Sequence, residues 1–222
     1  MNKCDRVKLP LRNHTKLLSK AAQQSNWLSS MSCESGEQID KVARVLEANL
    51  RHPSLGTYGV LGNHDYGHTW HDHAVADRLV VRLRDLGITV LQNQIADVDG
   101  LQVAGLDDLW SGRFRPANVF PRLNSAKGAL VLCHNPDGAD KPGWENYRGW
   151  ILSGHTHGGQ CKAPFLPPPL LPVDNKRYTA GEIALDDGRR LYINRALGYI
   201  KRVRFNVRPE ITVFTLRQVV SV

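Results

Sequence analysis

The sequence is short of cysteine and has no long apolar run. Its 222 residues include four cysteines, without the Cys-x-x-Cys spacing of a zinc ribbon or the density of a disulfide scaffold, so we predict free thiols. No stretch reaches the roughly 18 apolar residues that a membrane span needs, and no long apolar run follows the charged first residues. These absences favour a cytoplasmic protein.

Acidic residues are outnumbered by basic ones. There are 29 Lys and Arg against 21 Asp and Glu, which gives a formal net charge of +8. This balance favours anionic partners such as phosphate esters, phospholipid headgroups or nucleic acid. We predict no specific nucleic-acid partner, because the basic clusters lack interleaved aromatic residues and no nucleic-acid-binding module is recognisable. The oligomeric state stays unknown at this level.

The first 34 residues differ in character from the rest of the chain. They are basic and polar, and their leucines are scattered rather than periodic. From residue 35 onwards apolar residues recur at helical spacing, which predicts a helix from about Gly36 to Asn49. We predict an atypical, poorly ordered basic segment over residues 1–34 and one domain over residues 35–222.

Short apolar segments alternate with turn residues through the predicted domain. A second helix is expected to end at Gly87, and a hairpin to turn at Asp99-Gly100. Further strands are expected at 130–133, 151–153, 182–185, 191–194 and 211–216. The proline-rich run from Pro164 to Pro172 suits neither a helix nor a central strand. This α/β pattern fits two packed sheets flanked by helices.

Three short polar runs each follow an apolar, strand-like segment. They are Gly62-Asn63-His64-Asp65, Cys133-His134-Asn135-Pro136 and Gly154-His155-Thr156-His157-Gly158-Gly159. The carboxyl ends of strands are where open α/β sheets place their sites. Two imidazoles spaced two residues apart fall on the same side of an extended segment, and the glycines allow a tight backbone path. The pattern indicates metal ligation.

Other polar residues near these runs have simpler interpretations. Three neighbouring histidines are interpreted as solvated loop residues in preference to a second metal cluster: His68, His71 and His73. Asp107 and Asp108 could be catalytic carboxylates, but in a loop they are better interpreted as turn formers or substrate-edge residues.

In their order along the chain, these motifs resemble the calcineurin-like metallophosphoesterases. The resemblance runs from about Ser35 to Leu216. The most similar subgroup is bacterial and includes phosphodiesterases and lipid-sugar-nucleotide pyrophosphatases. It is similar in four motifs: Gly-Val-Leu-Gly-Asn63-His64-Asp65-Tyr, Gly-Leu-Asp107-Asp108-Leu-Trp, Gly-His155-Thr-His157-Gly-Gly-Gln and Asn194-Arg-Ala-Leu-Gly-Tyr. The resemblance implies a four-layer αββα sandwich.

The same resemblance implies a site with two divalent ions, Mn, Fe or Zn. One ion would be held by Asn63, His134 and His155, and His157 would be the remaining ligand of the other. His64 would be the catalytic imidazole that faces the leaving group, and Asp65 would fix its tautomer and orientation. Two such ions, about 3.5 to 4 Å apart, activate a water and neutralise phosphoryl charge.

The upstream carboxylate motifs of the family are missing from this sequence. Family members carry an Asp-x-His and a Gly-Asp-x-x-Asp at the ends of the first two strands, and one of these aspartates bridges both ions. Residues 1–62 hold only two aspartates, Asp5 and Asp40, and neither stands in such a motif. We therefore expect an N-terminally incomplete sandwich with a truncated N-terminus, and one tightly held metal at most.

The sequence thus predicts a metal-dependent phosphohydrolase that cleaves phosphodiester or pyrophosphate bonds through a metal-activated water, with activity impaired by the missing ligands. The alternative is a catalytically inactive remnant that binds one metal ion or an anionic ligand. The expected substrate is a phosphate ester or pyrophosphate, with lipid-linked substrates included. For the run from Pro164 to Pro172, peripheral contact at the inner membrane and packing on the domain are alternatives of equal weight.

Overall fold

The computed structural model describes residues 4–12, 26–29, 36–50, 53–198 and 203–219. The helices in this part of the chain are α1 (Gly36–Asn49) and α2 (His73–Asp85). The strands are β1 (Cys4–Arg12), β2 (Asn26–Ser29), β3 (Thr57–Val60), β4 (Ile88–Val90), β5 (Gln94–Val98), β6 (Leu101–Gly105), β7 (Ala129–Leu132), β8 (Trp150–Ser153), β9 (Gly181–Ala184), β10 (Arg190–Ile193) and β11 (Ile211–Val219).

Both predicted helices are confirmed, and local sequence explains their ends. Asp72 caps α2, because its Oδ1 accepts the backbone N–H groups of Ala74 and Val75 at 3.1 Å each. Beyond the last turn of α2, Gly87 has a φ of +75°, the left-handed conformation that glycine adopts without steric penalty.

Six strands form the larger sheet, in the order β5-β6-β7-β8-β10-β9. The four central strands are parallel, and the edge strands β5 and β9 pair antiparallel with their neighbours. The β5-β6 hairpin turns at Asp99-Gly100 as predicted, and both residues have positive φ, as a tight hairpin turn requires. The strands β2, β3 and β4 form a parallel three-stranded sheet, and β1 pairs in parallel with β11.

The small sheets pack on one face of the larger sheet. Val60 of β3 and Leu216 of β11 share a buried cluster with Val103 and Leu130 of the larger sheet. The next residue after Val60, Leu61, faces the other way and packs under both helices, as the alternation of side chains along a strand requires. The layers therefore run from helices, through the small sheets, to the larger sheet.

The outer face of the larger sheet is covered by short 3-10 turns and loops. Phe120, Trp144 and Tyr147 lie in these connections and pack on the sheet together with Val131 and Ile151. The predicted α/β architecture of packed sheets flanked by helices is confirmed. Within the described residues its fourth layer is made of these short turns, whereas the resemblance implied α-helices.

Two strands lie inside the segment that the sequence pattern predicted to be poorly ordered. The strand β1 pairs with β11, and β2 pairs with β3 over four residues. Periodicity did not predict either strand. The boundary between residues 34 and 35 stays a prediction, since most of the preceding segment lies outside the described residues.

Cys133 and Cys161 carry free thiols, as predicted. None of the helices in the described ranges combines the length and apolar character that crossing a bilayer requires.

Candidate metal centre

Three strands deliver the predicted ligands to one place. Asn63 begins a 3-10 turn (Asn63–Tyr66) shortly after β3, while His134 and His155 each follow a strand of the larger sheet by two residues. The strands β7 and β8 are parallel neighbours, so both histidines emerge at the same edge. The asparagine comes from the small sheet. The site therefore lies where the carboxyl ends of strands from both sheets meet.

Donor atoms of Asn63 and His134 both lie close to one nitrogen of His155. The Nδ1 atom of His155 is 3.2 Å from the Oδ1 atom of Asn63 and 3.3 Å from the Nε2 atom of His134. All three residues are buried, with 1 to 7% of their surface exposed. The resemblance assigned these three side chains to one ion, and the structure brings them together; their ligation of a metal stays a prediction.

The tautomer of His155 follows from its second nitrogen. Its Nε2 atom lies 2.8 Å from the carbonyl oxygen of Pro172, and a carbonyl can only accept a hydrogen bond, so the ring proton is on Nε2. Burial lowers the pKa of His155 to about 4, which keeps the imidazole neutral near pH 7. The lone pair of Nδ1 is then directed towards the other two donors.

This donor set fits a divalent ion. Donors about 2.1 Å from a tetrahedral ion lie roughly 3.3–3.4 Å from one another, close to the separations found here. Burial, followed by the charge of His155, lowers the pKa of His134 well below its usual value, so this imidazole is also neutral and able to bind metal. Asn63, His134 and His155 can therefore hold one ion, with coordination positions left open.

His157 lies near this trio but does not share its short contacts. Burial, and then the positive charge of Arg204, lowers the pKa of His157, and the charge of His64 lowers it further. Its Nδ1 atom is buried and has no hydrogen-bond partner in the described part of the chain. Both His155 and His157 have positive φ (66° and 52°), a strained conformation that clusters at functional sites in non-glycine residues.

His64 and Asp65 occupy different environments in the same turn. His64 is partly exposed, whereas Asp65 is fully buried and its Oδ2 accepts the backbone N–H of Gly62 at 2.9 Å. That bond closes the start of the turn and so positions Asn63. The predicted action of Asp65 on His64 stays a prediction.

The other two carboxylates are buried, which was not expected of loop residues. Asp108 is a turn former as interpreted, because its Oδ1 accepts the backbone N–H of Trp110 at 2.8 Å. The hydroxyl of Tyr66 donates to Asp107. Only 2% and 0% of the surfaces of Asp107 and Asp108 are exposed, and a role for them at the edge of the substrate stays a prediction.

The surrounding histidines do not form a second centre. His68 and His71 are exposed, and a nitrogen of His73 lies 3.0 Å from the carbonyl oxygen of Ser111. In the described ranges no group of three or more His, Cys, Asp or Glu side chains is placed to hold a metal. The converging set therefore has two imidazoles and one carboxamide, and no carboxylate joins it there.

Sequence reasoning missed two contributors to the site. The ring of Trp110 meets His155 edge-on, with 4.6 Å between ring centroids, and the carbonyl of Pro172 fixes the tautomer of that histidine. A tryptophan within the polar Gly-Leu-Asp-Asp-Leu-Trp run was a usable signal. The carbonyl of Pro172 gave no signal in the sequence, because every residue has a backbone carbonyl.

Comparison with known proteins finds relatives that are named as phosphodiesterases, metallophosphoesterases or pyrophosphatases. The phosphodiesterase YaeI of Escherichia coli is 36% identical over 169 residues, 72% of this chain and 58% of the relative. The metallophosphoesterase YkuE of Bacillus subtilis is 37% identical, over 73% of this chain and 57% of the relative. The UDP-2,3-diacylglucosamine pyrophosphatase LpxG of Chlamydia trachomatis is 33% identical, over 60% and 43%.

The chain spans about half the length of these curated relatives. No family model matches it, and no solved structure matches it significantly. The names of these relatives nevertheless agree with the family that the motifs resemble. This chain belongs to the calcineurin-like metallophosphoesterase family.

Proposed function

We propose that the chain is a metal-dependent phosphohydrolase that cleaves phosphodiester or pyrophosphate bonds. The observation that carries this proposal is the convergence of Asn63, His134 and His155 at 3.2–3.3 Å, with neutral imidazoles. YaeI and LpxG, named as a phosphodiesterase and a pyrophosphatase, support the reaction class. Their names also support a phosphate ester as the substrate class.

A divalent ion held by the trio would supply positive charge that makes a water nucleophilic near neutral pH and offsets charge on the phosphoryl oxygens. We propose Mn, Fe or Zn. The side chains of Asn63, His134 and His155 would hold the ion. His157, with its unpartnered buried Nδ1, is the ligand available to a second, weaker ion.

We propose one tightly held ion. All three converging donors are neutral, and no carboxylate joins them in the described residues. Two cations about 3.5–4 Å apart repel strongly unless an anionic oxygen lies between them. The trio alone therefore favours occupancy by a single ion.

His64 is proposed to protonate the leaving oxygen. It precedes a fully buried aspartate and directly follows the proposed ligand Asn63 in the same short turn. It is also partly exposed, as a proton donor that must meet substrate has to be. Asp65 is proposed as the positioning residue for this imidazole.

The activity test compares variants that remove a ligand, a proton donor or neither. Hydrolysis of bis(p-nitrophenyl) phosphate with added Mn should fall at least about 100-fold for His155→Gln and for His64→Asn. His71→Gln, an exposed histidine nearby, is the control and should keep the wild-type rate. Bound metal is measured in parallel by elemental analysis.

The outcomes separate the two functional classes. Turnover that disappears with His155→Gln but survives in the control supports the hydrolase. A wild-type protein that binds one ion and turns over no phosphate ester identifies the inactive, ligand-binding alternative. Turnover that is unchanged in His155→Gln would remove the trio from the mechanism.

We further propose that the protein is cytoplasmic and touches the inner membrane through an apolar lip, defined as the exposed side chains of Phe165, Leu166, Leu170, Val203 and Phe205. Phe165 is 104% exposed and Leu170 is 80% exposed. The two parts of the lip are adjacent, since the backbone N–H of Lys162 donates to the carbonyl of Phe205 at 2.9 Å. Large exposed apolar patches mark interaction surfaces.

Charge favours an anionic membrane as the partner of this lip. The described residues within 155–180 and 195–210, the ranges that carry the lip, include six Lys or Arg and two Asp or Glu, a net charge of +4. The lip also adjoins the candidate metal centre, because Pro172 at the end of its loop bonds His155. A lipid-linked phosphate ester would reach the centre from this side. The free thiols of Cys133 and Cys161 suit the reducing cytoplasm.

Vesicle binding tests the lip. Wild-type protein should co-float with vesicles containing anionic phosphatidylglycerol more than with neutral ones, and the triple variant Phe165→Ser, Leu166→Ser, Leu170→Ser should bind at least about tenfold more weakly. The matched control is Val45→Ser with Val81→Ser, two valines on the helices that are 63% and 54% exposed. Equal binding by both variants would remove the lip from the contact.

A further inference from the structure

Two partly exposed tryptophans form a row of rings beside the candidate metal centre. Trp70 and Trp110 stack with 4.9 Å between centroids and an interplanar angle of 25°. We call them the indole pair. Trp110 meets the ring of His155 at 4.6 Å and 84°, and Trp70 meets the ring of His64 at 6.1 Å and 79°. The indole pair thus links the proposed metal ligand to the proposed proton donor.

Packing does not account for the indole pair. Within the described residues, neither ring belongs to the three apolar clusters that make up the core, and both stay partly exposed. Covering His155 requires only Trp110. Trp70 lies beyond it, at the solvent side, between the exposed residues Thr69 and His71.

The backbone at Trp70 is strained. Its φ is +62°, a conformation that costs about 1 kcal/mol or more for a bulky residue and persists only where the surroundings impose it. The surrounding turn does impose it: the backbone N–H of Trp70 donates to the carbonyl of Gly67, and that of Asp72 donates to the carbonyl of Tyr66 at 2.8 Å. An indole held in this way at the edge of a site is a preformed surface.

We infer that the indole pair is a subsite for a planar aromatic ring carried by the phosphate ester, either a nucleobase or an aryl group. This inference rests on the proposed function, which places the phosphoryl group between His155 and His64, at the two ends of the row of rings. A ring on the leaving side would then lie against the partly exposed indoles. Stacking on tryptophan is strong and tolerates any ring with a π-face.

Equilibrium binding to the full chain tests the subsite without requiring turnover. Calorimetry compares three ligands that share a phosphate: AMP, phenyl phosphate and ribose 5-phosphate, of which the last has no aromatic ring. At least one ring-bearing ligand should bind the wild-type protein at least about fivefold more tightly than ribose 5-phosphate. The comparison of AMP with phenyl phosphate distinguishes a nucleobase from a simple aryl group.

Variants assign the preference to the indoles. Trp70→Leu should reduce the preference for a ring to below about twofold and leave the affinity for ribose 5-phosphate unchanged, whereas Trp70→Phe should retain most of it. Phe165→Leu, which removes an exposed aromatic ring from the apolar lip, is the matched control and should keep the full preference. Melting curves of Trp70→Leu should resemble those of the wild type, because this ring lies outside the core.

Equal affinity of the wild type for all three ligands, including equally undetectable binding, overturns the inference, and so does a preference that survives Trp70→Leu. The proposed function fails in a different way. If ring preference is present but no phosphodiester is hydrolysed, the subsite stands and the hydrolase does not. If hydrolysis is present without ring preference, only the subsite is lost.

Discussion

At the scale of single residues, burial sets the chemistry of the polar side chains. Asp108 lies in a run whose sequence is typical of a polar loop, yet it is fully buried, and its Oδ2 atom has no hydrogen-bond partner among the described residues. Burial, together with the charges of Asp107 and Asp65, raises the pKa of Asp108 to about 7. The carboxyl group therefore keeps its proton in the folded state at pH values where it would ionise in the unfolded chain.

This pKa predicts how Asp108→Asn changes stability with pH. The folded state binds the extra proton between about pH 4 and pH 7, so Asp108 lowers the free energy of unfolding progressively as the pH rises through that range. The variant should match the wild type near pH 4 and become more stable by an amount on the order of a few kcal/mol at pH 8. Urea unfolding at several pH values measures it.

Asp97→Asn is the control, and its expected effect on the free energy of unfolding has the opposite sign. Its exposed carboxylate pairs with Lys127, and the hydrogen bond from that lysine lowers the pKa of Asp97. Replacing it should destabilise slightly, and only above the acidic range. A constant stability difference between Asp108→Asn and the wild type from pH 4 to pH 8 would contradict the expected ionisation.

His155 predicts a second pH dependence, in the metal-free protein. Its pKa in the folded state is about 4, below the usual value, so the unfolded chain binds the extra proton between about pH 4 and pH 6.5. Stability is therefore complete above pH 6.5 and falls as the pH drops towards 4. His155→Gln should flatten that slope, while His71→Gln should keep it, as thermal melts in a chelating buffer can measure. An equal slope in both variants would contradict the prediction.

At the scale of elements, close approach between sheets depends on one glycine. A Cβ atom on Gly105, at the end of β6, would lie 2.2 Å from the Cβ of Leu91 and 2.9 Å from a methyl group of Val60. The strand therefore meets the small sheet without room for a side chain. Its neighbours are core residues, so they cannot move aside cheaply.

Gly105→Ala should lower the free energy of unfolding by at least about 2 kcal/mol, because overpacking of a core forces side chains and backbone apart. Gly198→Ala is the control, since a Cβ atom there would have no described heavy atom within 4 Å and its φ is not positive. That change should stay within about 0.5 kcal/mol. Urea unfolding measures both. Similar losses in the two variants would show that packing between the sheets is looser than these distances require.

The loop from Pro164 to Pro172 connects the apolar lip with the candidate metal centre. Gly159 has a φ of +75°, and a Cβ atom there would lie 2.1 Å from the Cβ of Pro168. The loop is seated on this glycine, and its last residue accepts the hydrogen bond from His155. A displaced loop would therefore release the ring of a proposed ligand.

Gly159→Ala should weaken metal binding about 10- to 100-fold, the usual loss when a partner that orients a ligand is removed. Gly181→Ala shares the positive φ (82°) but has no described atom within 4 Å, so it carries the backbone strain without the collision. Calorimetric titration of chelator-treated protein with Mn or Zn compares the two. Equal affinities in both variants would mean that the loop does not hold His155 in place.

At the scale of the whole molecule, the first residues complete both small sheets. The strand β2 covers one edge of β3, and β1 is the partner of β11 along nine residues. An uncovered edge strand leaves backbone N–H and C=O groups without partners and invites aggregation. The segment that sequence pattern sets apart from the domain is, in the fold, adjacent to the strand that leads to Asn63.

Deletion of residues 1–34 should therefore lower the melting temperature markedly and produce aggregates. Circular dichroism melts and size-exclusion chromatography compare the shortened chain with the full one. A shortened chain that elutes as a single species and melts at the same temperature would favour the sequence-based division of the chain at residue 34.

The sequence by itself determined the two helices, most strands of the larger sheet and the order of the ligand motifs. These follow from local periodicity and turn residues, such as the helical spacing in α1 and the Asp99-Gly100 turn. Only the tertiary structure decided that Asn63 and His155, separated by 92 positions, meet at 3.2 Å, that Pro172 fixes a tautomer, and that Asp108 is buried. Such features depend on contacts between distant segments, and local sequence carries no record of which segments pack together.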